Sequence, residues 1–233
     1  MGDIMNINLY YQEKGNGFPF IMLHGNGQNC EYFIHQIDYF SKEFRVIAVD
    51  TRGHGKSPRG DAPFTIDQFA KDLNDFMDQL NIKEAIILGF SDGANIAMKF
   101  ALHYPHKIKA LILNGGNLNS QGVKKSVQLP IELGYFITKK FANKSEKAKS
   151  NMELLGLMVN EPNIKIAELK TIFMPTLVIA GTKDLIKENH TRDIAKSIPN
   201  AKLKFIGGNH FIANKEYKIF NDIVDSFLKQ LCI

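Results

Sequence analysis

The sequence contains few cysteines and no long apolar segment. Cys30 and Cys232 lie near opposite ends of the 233-residue chain and show no metal-ligand spacing. This scarcity argues against a disulfide framework and favours a reducing compartment. No apolar run approaches the roughly 18 residues of a membrane span, and the first residues lack the basic and apolar regions of a signal peptide. We therefore expect a cytoplasmic protein that does not insert into a membrane.

The sequence also lacks internal repeats, low-complexity tracts and any nucleic-acid-binding motif. Hydrophobic residues make up 44% and charged residues 23% of the chain, which is typical of a globular protein. The formal net charge is +5, and the basic residues are scattered except for a modest cluster in 139–149. Such a cluster can face nucleic acid or an anionic membrane, but without an accompanying motif a solvated helix face is the simpler interpretation. We predict a small-molecule substrate and no nucleic-acid partner.

Short apolar runs alternate with amphipathic helical segments. Continuous apolar runs of about five or six residues suit strands that are buried on both faces of a parallel sheet. Helical spacing of apolar residues between these runs predicts βαβ units, with Thr65 as one helix N-cap. The predicted strands occupy 6–11, 18–23, 44–49, 84–88, 108–113, 176–180 and 201–206. The fold class is therefore α/β, with a doubly wound, mostly parallel sheet in one core domain.

The segment 117–169 breaks this alternation because it contains no clear strand. It is rich in Lys, Leu and Met, and helical patterns cover 129–141 and 145–159. We interpret it as a short helical cap inserted into a core formed by 1–116 and 170–233. An ordinary pair of crossover helices is the alternative.

A nucleophile motif follows one of the predicted strands. Gly89-Phe90-Ser91-Asp92-Gly93 has the G-x-S-x-G pattern, placed between an apolar strand and an amphipathic helix. The strand-to-helix turn must be tight, so glycine is needed on either side of the serine. The helix that follows directs its N-terminus at the serine and favours an oxyanion there. This context predicts Ser91 as a catalytic nucleophile.

A serine hydroxyl needs a base, and seven histidines compete for that role. His210 follows the strand 201–206 through two glycines and Asn209, which places it at the carboxyl edge of the sheet where ligands bind. His24 shares this edge, but it directly precedes Gly25 and is better suited to shaping that loop. The other histidines are His35, His54, His103, His106 and His190. We predict His210 as the base.

The base needs a carboxylate, and the oxyanion needs two amides. Asp184 follows the strand 176–180, so it is predicted to orient His210; a helix N-cap is its alternative role. The predicted oxyanion hole combines the backbone amides of Asp92, next to the nucleophile, and Asn26, in the loop after strand 18–23. The order Ser91, Asp184, His210 follows the order of the α/β-hydrolase triad.

At this point the sequence resembles the α/β-hydrolase superfamily over nearly its whole length. The shared motifs are His24-Gly25-Asn26-Gly27, Asp50-Thr51-Arg52-Gly53-His54-Gly55-Lys56-Ser57, Gly89-Phe90-Ser91-Asp92-Gly93, Gly181-Thr182-Lys183-Asp184 and Gly208-Asn209-His210. The 50–57 loop resembles that of small cap-bearing members such as carboxylesterases, and the Ser-Asp-Gly elbow is similar to that of biphenyl-hydrolase-like enzymes. Ala94 stands where many relatives carry a second glycine. The resemblance implies a serine hydrolase that needs no metal or organic cofactor.

The predicted reaction is cleavage of a carboxylic ester through an acyl-enzyme. Five residues are expected to line an apolar pocket for substrate: Phe90, Leu133, Phe136, Leu154 and Met158. Packing within the cap is the alternative role of the cap residues. C–C bond hydrolysis or perhydrolysis on the same triad, and ligand binding without catalysis, are the alternative functions, because a fold does not determine its chemistry. The sequence predicts neither the substrate nor the oligomeric state.

Overall fold

A computed structural model describes residues 7–232, which contain one seven-stranded sheet. The strands are β1 (Tyr11–Lys14), β2 (Phe18–Leu23), β3 (Phe44–Val49), β4 (Ala85–Phe90), β5 (Ile108–Asn114), β6 (Thr176–Gly181) and β7 (Ala201–Ile206). Their order across the sheet is β1-β3-β2-β4-β5-β6-β7. β1 is antiparallel to β3, and every other neighbouring pair is parallel. The predicted mostly parallel α/β fold is confirmed.

Helices cover both faces of this sheet. They are α1 (Ile34–Phe40), α2 (Ile66–Gln79), α3 (Asp92–His103), α4 (Lys125–Phe141), α5 (Glu146–Asn160), α6 (Glu188–Ser197), α7 (Ile212–Lys215) and α8 (Tyr217–Lys229). The core is split by the sheet into two apolar clusters. One contains buried side chains of α2, α3 and α6, and the other contains those of α1, α7 and α8. β4 lies at the centre and is buried along its whole length, as its continuous apolar run predicts.

The predicted N-terminal strand at 6–11 is displaced along the chain. The strand assigned here is β1, which begins at Tyr11 and pairs with β3. Tyr10, which the predicted strand included, precedes β1. Its carbonyl accepts from the Asp50 amide at 2.9 Å, and its amide donates to Ser57 Oγ at 2.8 Å. The backbone before β1 therefore binds the loop after β3. Asn6 lies outside the described residues.

The segment 117–169 contains α4 and α5 as its two longer elements, close to the predicted helical stretches. Both ends of the segment are held by the rest of the protein. Near its start the Lys124 amide donates to the Leu185 carbonyl at 2.9 Å, and near its end Ile164 and Leu169 are buried in the apolar cluster that contains α2, α3 and α6. The Ile164 amide also donates to the Leu118 carbonyl at 3.0 Å, which joins the two ends of the segment to each other. The division into a core and a separate cap stays a prediction. Among residues 7–232, no helix combines the length and the apolar character needed to cross a membrane.

Candidate active site

Ser91 occupies the tight turn between β4 and α3. Its backbone has φ of 52° and ψ of −118°, in the left-handed half of conformational space that non-glycine residues rarely adopt. A Cβ atom at Gly93 would lie 2.0 Å from the Leu23 carbonyl oxygen, and one at Gly89 would lie 2.2 Å from the Gly93 oxygen. Both positions therefore require glycine, and the turn holds Ser91 at the carboxyl end of the central strand.

His210 and Asp184 form a buried pair at the same edge of the sheet. His210 Nδ1 lies 2.7 Å from Asp184 Oδ1, and each residue is 4% exposed. Because a carboxylate only accepts hydrogen bonds, Nδ1 donates, and in the neutral imidazole Nε2 carries the lone pair. Asp184 Oδ1 also accepts from the Ile186 amide at 2.9 Å, which fixes the carboxylate. Nε2 is buried and has no hydrogen-bond partner within residues 7–232. The pair thus presents an oriented, unoccupied imidazole nitrogen.

The end of β5 links Ser91 to His210. The Ser91 amide donates to the Asn114 carbonyl at 2.8 Å. Gly115 follows with φ of +65°, and a Cβ atom there would lie 2.8 Å from His210 Cε1. Any side chain at this position would displace the imidazole. Sequence reasoning gave Gly115 no role, although the Asn-Gly-Gly run at a strand end was the available signal.

His24 holds the loop that follows β2. Its Nε2 accepts from the Thr51 amide at 3.1 Å, so Nδ1 carries the proton and donates to the Gly25 carbonyl at 2.7 Å. Burial, with a smaller contribution from neighbouring His54, lowers the pKa of His24 to about 4. His24 is therefore neutral with both ring nitrogens engaged, which suits a structural role and leaves no free nitrogen for a base. Gly25 packs close to Ser91: a Cβ atom there would lie 3.1 Å from Ser91 Cβ.

The 50–57 loop has a supporting role that sequence reasoning did not assign residue by residue. Asp50 accepts from the Cys30 amide at 2.7 Å and from the Lys56 amide at 2.8 Å. Arg52 forms a buried two-bond pair with Asp72 of α2, at 2.6 and 2.7 Å. Both charged groups are buried and hydrogen-bonded to each other, so the pair fixes the loop from which the Thr51 amide donates to His24. An arginine whose partner lies in another element gives no local sequence signal.

The two residues predicted to supply oxyanion amides belong to two different elements. Asp92 is the first residue of α3, and Asn26 lies in the loop after β2. The Asn26 side chain donates through Nδ2 to the Leu154 carbonyl of α5 at 2.8 Å, so this loop contacts the 117–169 segment. Asp92 Oδ2 is buried without a hydrogen-bond partner within residues 7–232, and burial raises the pKa of Asp92 to about 6.

The five residues predicted to line a substrate pocket do not share one environment. Phe90 is 1% exposed, because its ring stacks on Tyr32 at 4.4 Å between centroids and packs beside His210 at 4.8 Å. The Phe90 ring therefore packs against both Tyr32 and the His210 imidazole and helps to hold the imidazole in place. Leu133 and Phe136 are 62% and 59% exposed, because the opposite side of α4 packs on α5. The contact of Phe90, Leu133 and Phe136 with substrate stays a prediction.

Leu154 and Met158 are the remaining two predicted pocket residues. Both are partly buried on α5, and their carbonyls accept from Asn26 Nδ2 and from Gln128 Nε2. Their contact with substrate stays a prediction. Within residues 7–232, no three His, Cys, Asp or Glu side chains are grouped as metal ligands would be.

The sequence matches the family described as alpha/beta hydrolase fold over residues 19–135, which is half of the chain. Together with the sheet and its strand-edge residues, this match defines the class: the protein belongs to the α/β-hydrolase superfamily. The expected membership is confirmed.

Individual relatives cover nearly the whole chain. The AB hydrolase superfamily protein YisY of Bacillus subtilis is 26% identical, over 95% of this chain and 96% of its own. Serine hydrolase BPHL of Mus musculus is 28% identical, over 97% of this chain and 84% of its own. The crystal structure of an enol-lactonase from Burkholderia xenovorans superposes with a TM-score of 0.82 at 22% identity, covering 98% and 99% of the two chains. That likeness supports the fold.

Proposed function

We propose that this protein is a serine hydrolase that cleaves carboxylic esters of small molecules through Ser91, His210 and Asp184. The observation that carries the proposal is the His210–Asp184 pair, whose 2.7 Å contact leaves Nε2 as an unoccupied base. Ser91 lies in the strained turn at the same edge. Asn114 at the end of β5 accepts from the Ser91 amide, and the next residue, Gly115, packs against His210. The similarity to an enzyme named serine hydrolase in mouse supports the same class.

The proposed reaction follows from this arrangement. His210 Nε2 removes the proton of Ser91 as Oγ attacks the ester carbonyl, and Asp184 stabilises the resulting imidazolium. The tetrahedral oxyanion is held by the backbone amides of Asn26 and Asp92, of which the second lies at the N-terminus of α3. His210 then protonates the leaving alcohol, and water repeats the sequence to release the acid.

We further propose that 117–169 caps this site. Two contacts support a cap. Asn26 Nδ2 binds the Leu154 carbonyl of α5 at 2.8 Å. Arg59 also pairs with Glu153 of α5 through two bonds of 2.7 and 2.9 Å, which ties the segment to the loop after β3. The cap therefore stands over the loop that is proposed to supply one oxyanion amide.

The direct test is hydrolysis of p-nitrophenyl esters of increasing acyl length. We expect turnover by the full-length protein and a loss of at least about 10⁴-fold in Ser91→Ala, because no other group replaces the nucleophile. Ser126→Ala removes an exposed serine from α4 and should leave turnover unchanged. Substantial turnover by folded Ser91→Ala, or none by folded wild type on any ester, would overturn the proposal. Faster cleavage of a vinylogous diketone than of any ester would replace the ester substrate with a C–C bond and keep the triad.

A further inference from the structure

The outer side of α4 carries an unusual concentration of exposed apolar side chains. Ten large hydrophobic residues among residues 7–232 are exposed, and five of them belong to this one helix. The five, here called the α4 stripe, are Leu129, Leu133, Phe136, Ile137 and Phe141, with exposures of 46–62%. Their spacing of three and four residues places them on one side of the helix.

The other side of α4 already has a partner within the protein. Gly134 faces Leu155, and Tyr135 faces Gly156, so α4 packs closely on α5 through its small and aromatic residues. The stripe thus points away from the helix that α4 contacts. Lys144 Nζ lies 4.8 Å from the centroid of the Phe141 ring. Within residues 7–232 all five side chains nevertheless stay 46–62% exposed, which is uncommon for a contiguous apolar surface.

The positive charge of the protein is concentrated around the same helix. Residues 124–149 contain seven lysines and two glutamates, a surplus of five positive charges that equals the net charge of the whole chain. The rest of the sequence holds 22 basic and 22 acidic residues and is neutral. All seven lysines are exposed, although Lys124 Nζ also donates to the Asp184 carbonyl.

These lysines flank the stripe along the helix axis. Lys125 precedes its first residue, and Lys139, Lys140 and Lys144 lie at its far end. Glu132 is the acidic residue of α4 itself, and its carboxylate accepts from Gln128 Nε2 at 3.1 Å. An apolar face bordered by lysines is the pattern of helices that lie in the plane of a membrane surface.

We propose that the α4 stripe and its lysines dock on the surface of a bilayer that contains anionic phospholipids. The apolar side chains would enter the boundary between headgroups and acyl chains, while the lysines contact phosphate and carboxylate groups. Charge complementarity selects this occupant over a second copy of the chain. A two-fold contact places the same patch against itself, so each stripe would meet the partner's five excess positive charges.

Docking requires neither Ser91 nor His210, so the proposal is independent of the proposed function. The proposal places the protein at a membrane surface. The docking helix α4 contacts α5, and α5 in turn contacts the Asn26 loop. The α4 stripe would lie in the membrane surface without crossing the bilayer, and residues 7–232 contain no helix that could span one.

The test is vesicle flotation of the full-length protein. We expect binding to vesicles of phosphatidylcholine with phosphatidylserine, little binding to phosphatidylcholine alone, and weaker binding as salt rises. Lys139→Gln/Lys140→Gln/Lys144→Gln should weaken binding to the mixed vesicles about 100-fold, at roughly fivefold for each lysine. Leu133→Gln/Phe136→Gln should also reduce binding, because the apolar contribution is lost while the charges stay.

The control variant Lys42→Gln/Lys83→Gln/Lys109→Gln removes three exposed lysines at the opposite edge of the sheet and should bind as wild type does. Circular dichroism verifies that each variant is folded. Three results would overturn the proposal: no binding of folded wild type to the mixed vesicles at low salt, equal loss in the control variant, or a dimer in solution that Leu133→Gln/Phe136→Gln converts to a monomer. The last result would assign the stripe to self-association.

Discussion

The helices α3 and α4 show two different ways in which this chain uses a helix. α3 follows the candidate nucleophile and buries nine of its twelve residues between the sheet and α2. α4 is longer, at seventeen residues, and Gln128 is the one of them that is buried. The strand-edge site is therefore positioned by packing on all sides, whereas the 117–169 segment is held mainly at its ends and by contacts of α5.

The glycines of the strand-edge site and of the 117–169 segment also differ in how closely they approach neighbouring atoms. At the strand edge, Gly89, Gly93 and Gly181 each approach another backbone so closely that a Cβ atom would lie 2.0–2.2 Å from a carbonyl oxygen. In the 117–169 segment, Gly134 and Gly156 approach side chains at 3.3–3.4 Å. The backbone at the site therefore has little freedom to adjust, and substitutions there should have larger effects than substitutions in α4 or α5.

The largest expected effect is loss of activity on substitution of Asp184. Asp184→Asn should lower kcat on the best ester by about 10⁴-fold, because an amide disfavours the His210 tautomer that leaves Nε2 free. Steady-state kinetics measures the loss, and Asp193→Asn, at an exposed position of α6, is the matched control with unchanged kcat. A loss of less than tenfold in folded Asp184→Asn would remove Asp184 from the proposed triad.

The next effect contrasts two glycine-to-alanine changes. Gly93→Ala should lower the free energy of unfolding by about 4 kcal/mol or more, because its Cβ would overlap the Leu23 carbonyl. Gly134→Ala should raise it by about 0.5–1 kcal/mol, because alanine is the better helix former and its Cβ meets Leu155 at an ordinary contact distance. Urea denaturation of both variants measures the difference. If both substitutions changed the free energy of unfolding in the same direction, the proposed difference in backbone packing between the strand-edge site and the 117–169 segment would be wrong.

A third effect concerns pH and the buried carboxyl of Asp92. Its pKa is raised from 3.8 to about 6, so the folded protein holds this proton more tightly than the unfolded chain does. Stability from this group is present below pH 3.8 and is lost as pH rises through about 6. Asp92→Asn should therefore stabilise the fold at pH 8, by up to about 3 kcal/mol, and the gain should vanish near pH 4.

Denaturation at the two pH values measures the Asp92 effect, with Asp193→Asn as an exposed control that should show no such gain. A gain for Asp92→Asn that is equal at pH 4 and pH 8 would assign it to packing and not to charge. The position also has an energetic cost, because burial of this carboxylate outweighs the hydrogen bond that Oδ1 accepts from Asn95 at 3.2 Å and destabilises the fold at neutral pH.

The smallest expected effect lies in the α4 stripe. Phe136→Ala should change the free energy of unfolding by no more than about 0.5 kcal/mol, because the ring is already exposed to solvent. Phe100→Ala in α3 removes a fully buried ring and should cost about 3–5 kcal/mol. Comparable losses in the two variants, by urea denaturation, would show that the stripe packs against the protein.

Sequence reasoning succeeded where burial and strand ends dictate position. Six strands were predicted nearly to the residue, because most of them are buried parallel strands with continuous apolar runs, although β7 alternates lysine with apolar residues and is buried only at Ile206. The carboxyl ends of the strands led to Asp184 and His210, which are in contact, and to Ser91, whose part in the triad stays a prediction. β1 was misplaced because its residues are half exposed and because Tyr10 bonds to a loop.

Tertiary partners were beyond sequence reasoning. The stacking of Tyr32 on the Phe90 ring joins two residues distant in sequence, and no local pattern predicts it. The orientation of α4 was likewise unpredictable, since its apolar residues occupy more than one side and the pattern alone does not say which side meets α5. The roles of Arg52 and Gly115 also depend on contacts with elements distant in the chain.

The most direct test of the central claim is intact-mass detection of fluorophosphonate labelling, with the modified peptide identified. We predict one adduct on wild type at Ser91, absent from Ser91→Ala and strongly slowed in His210→Ala, because only a serine with a free base reacts readily. The exposed Ser126 provides an internal control that should stay unlabelled. An adduct on another serine, or no adduct on the folded wild-type protein, would contradict the assignment of an activated Ser91.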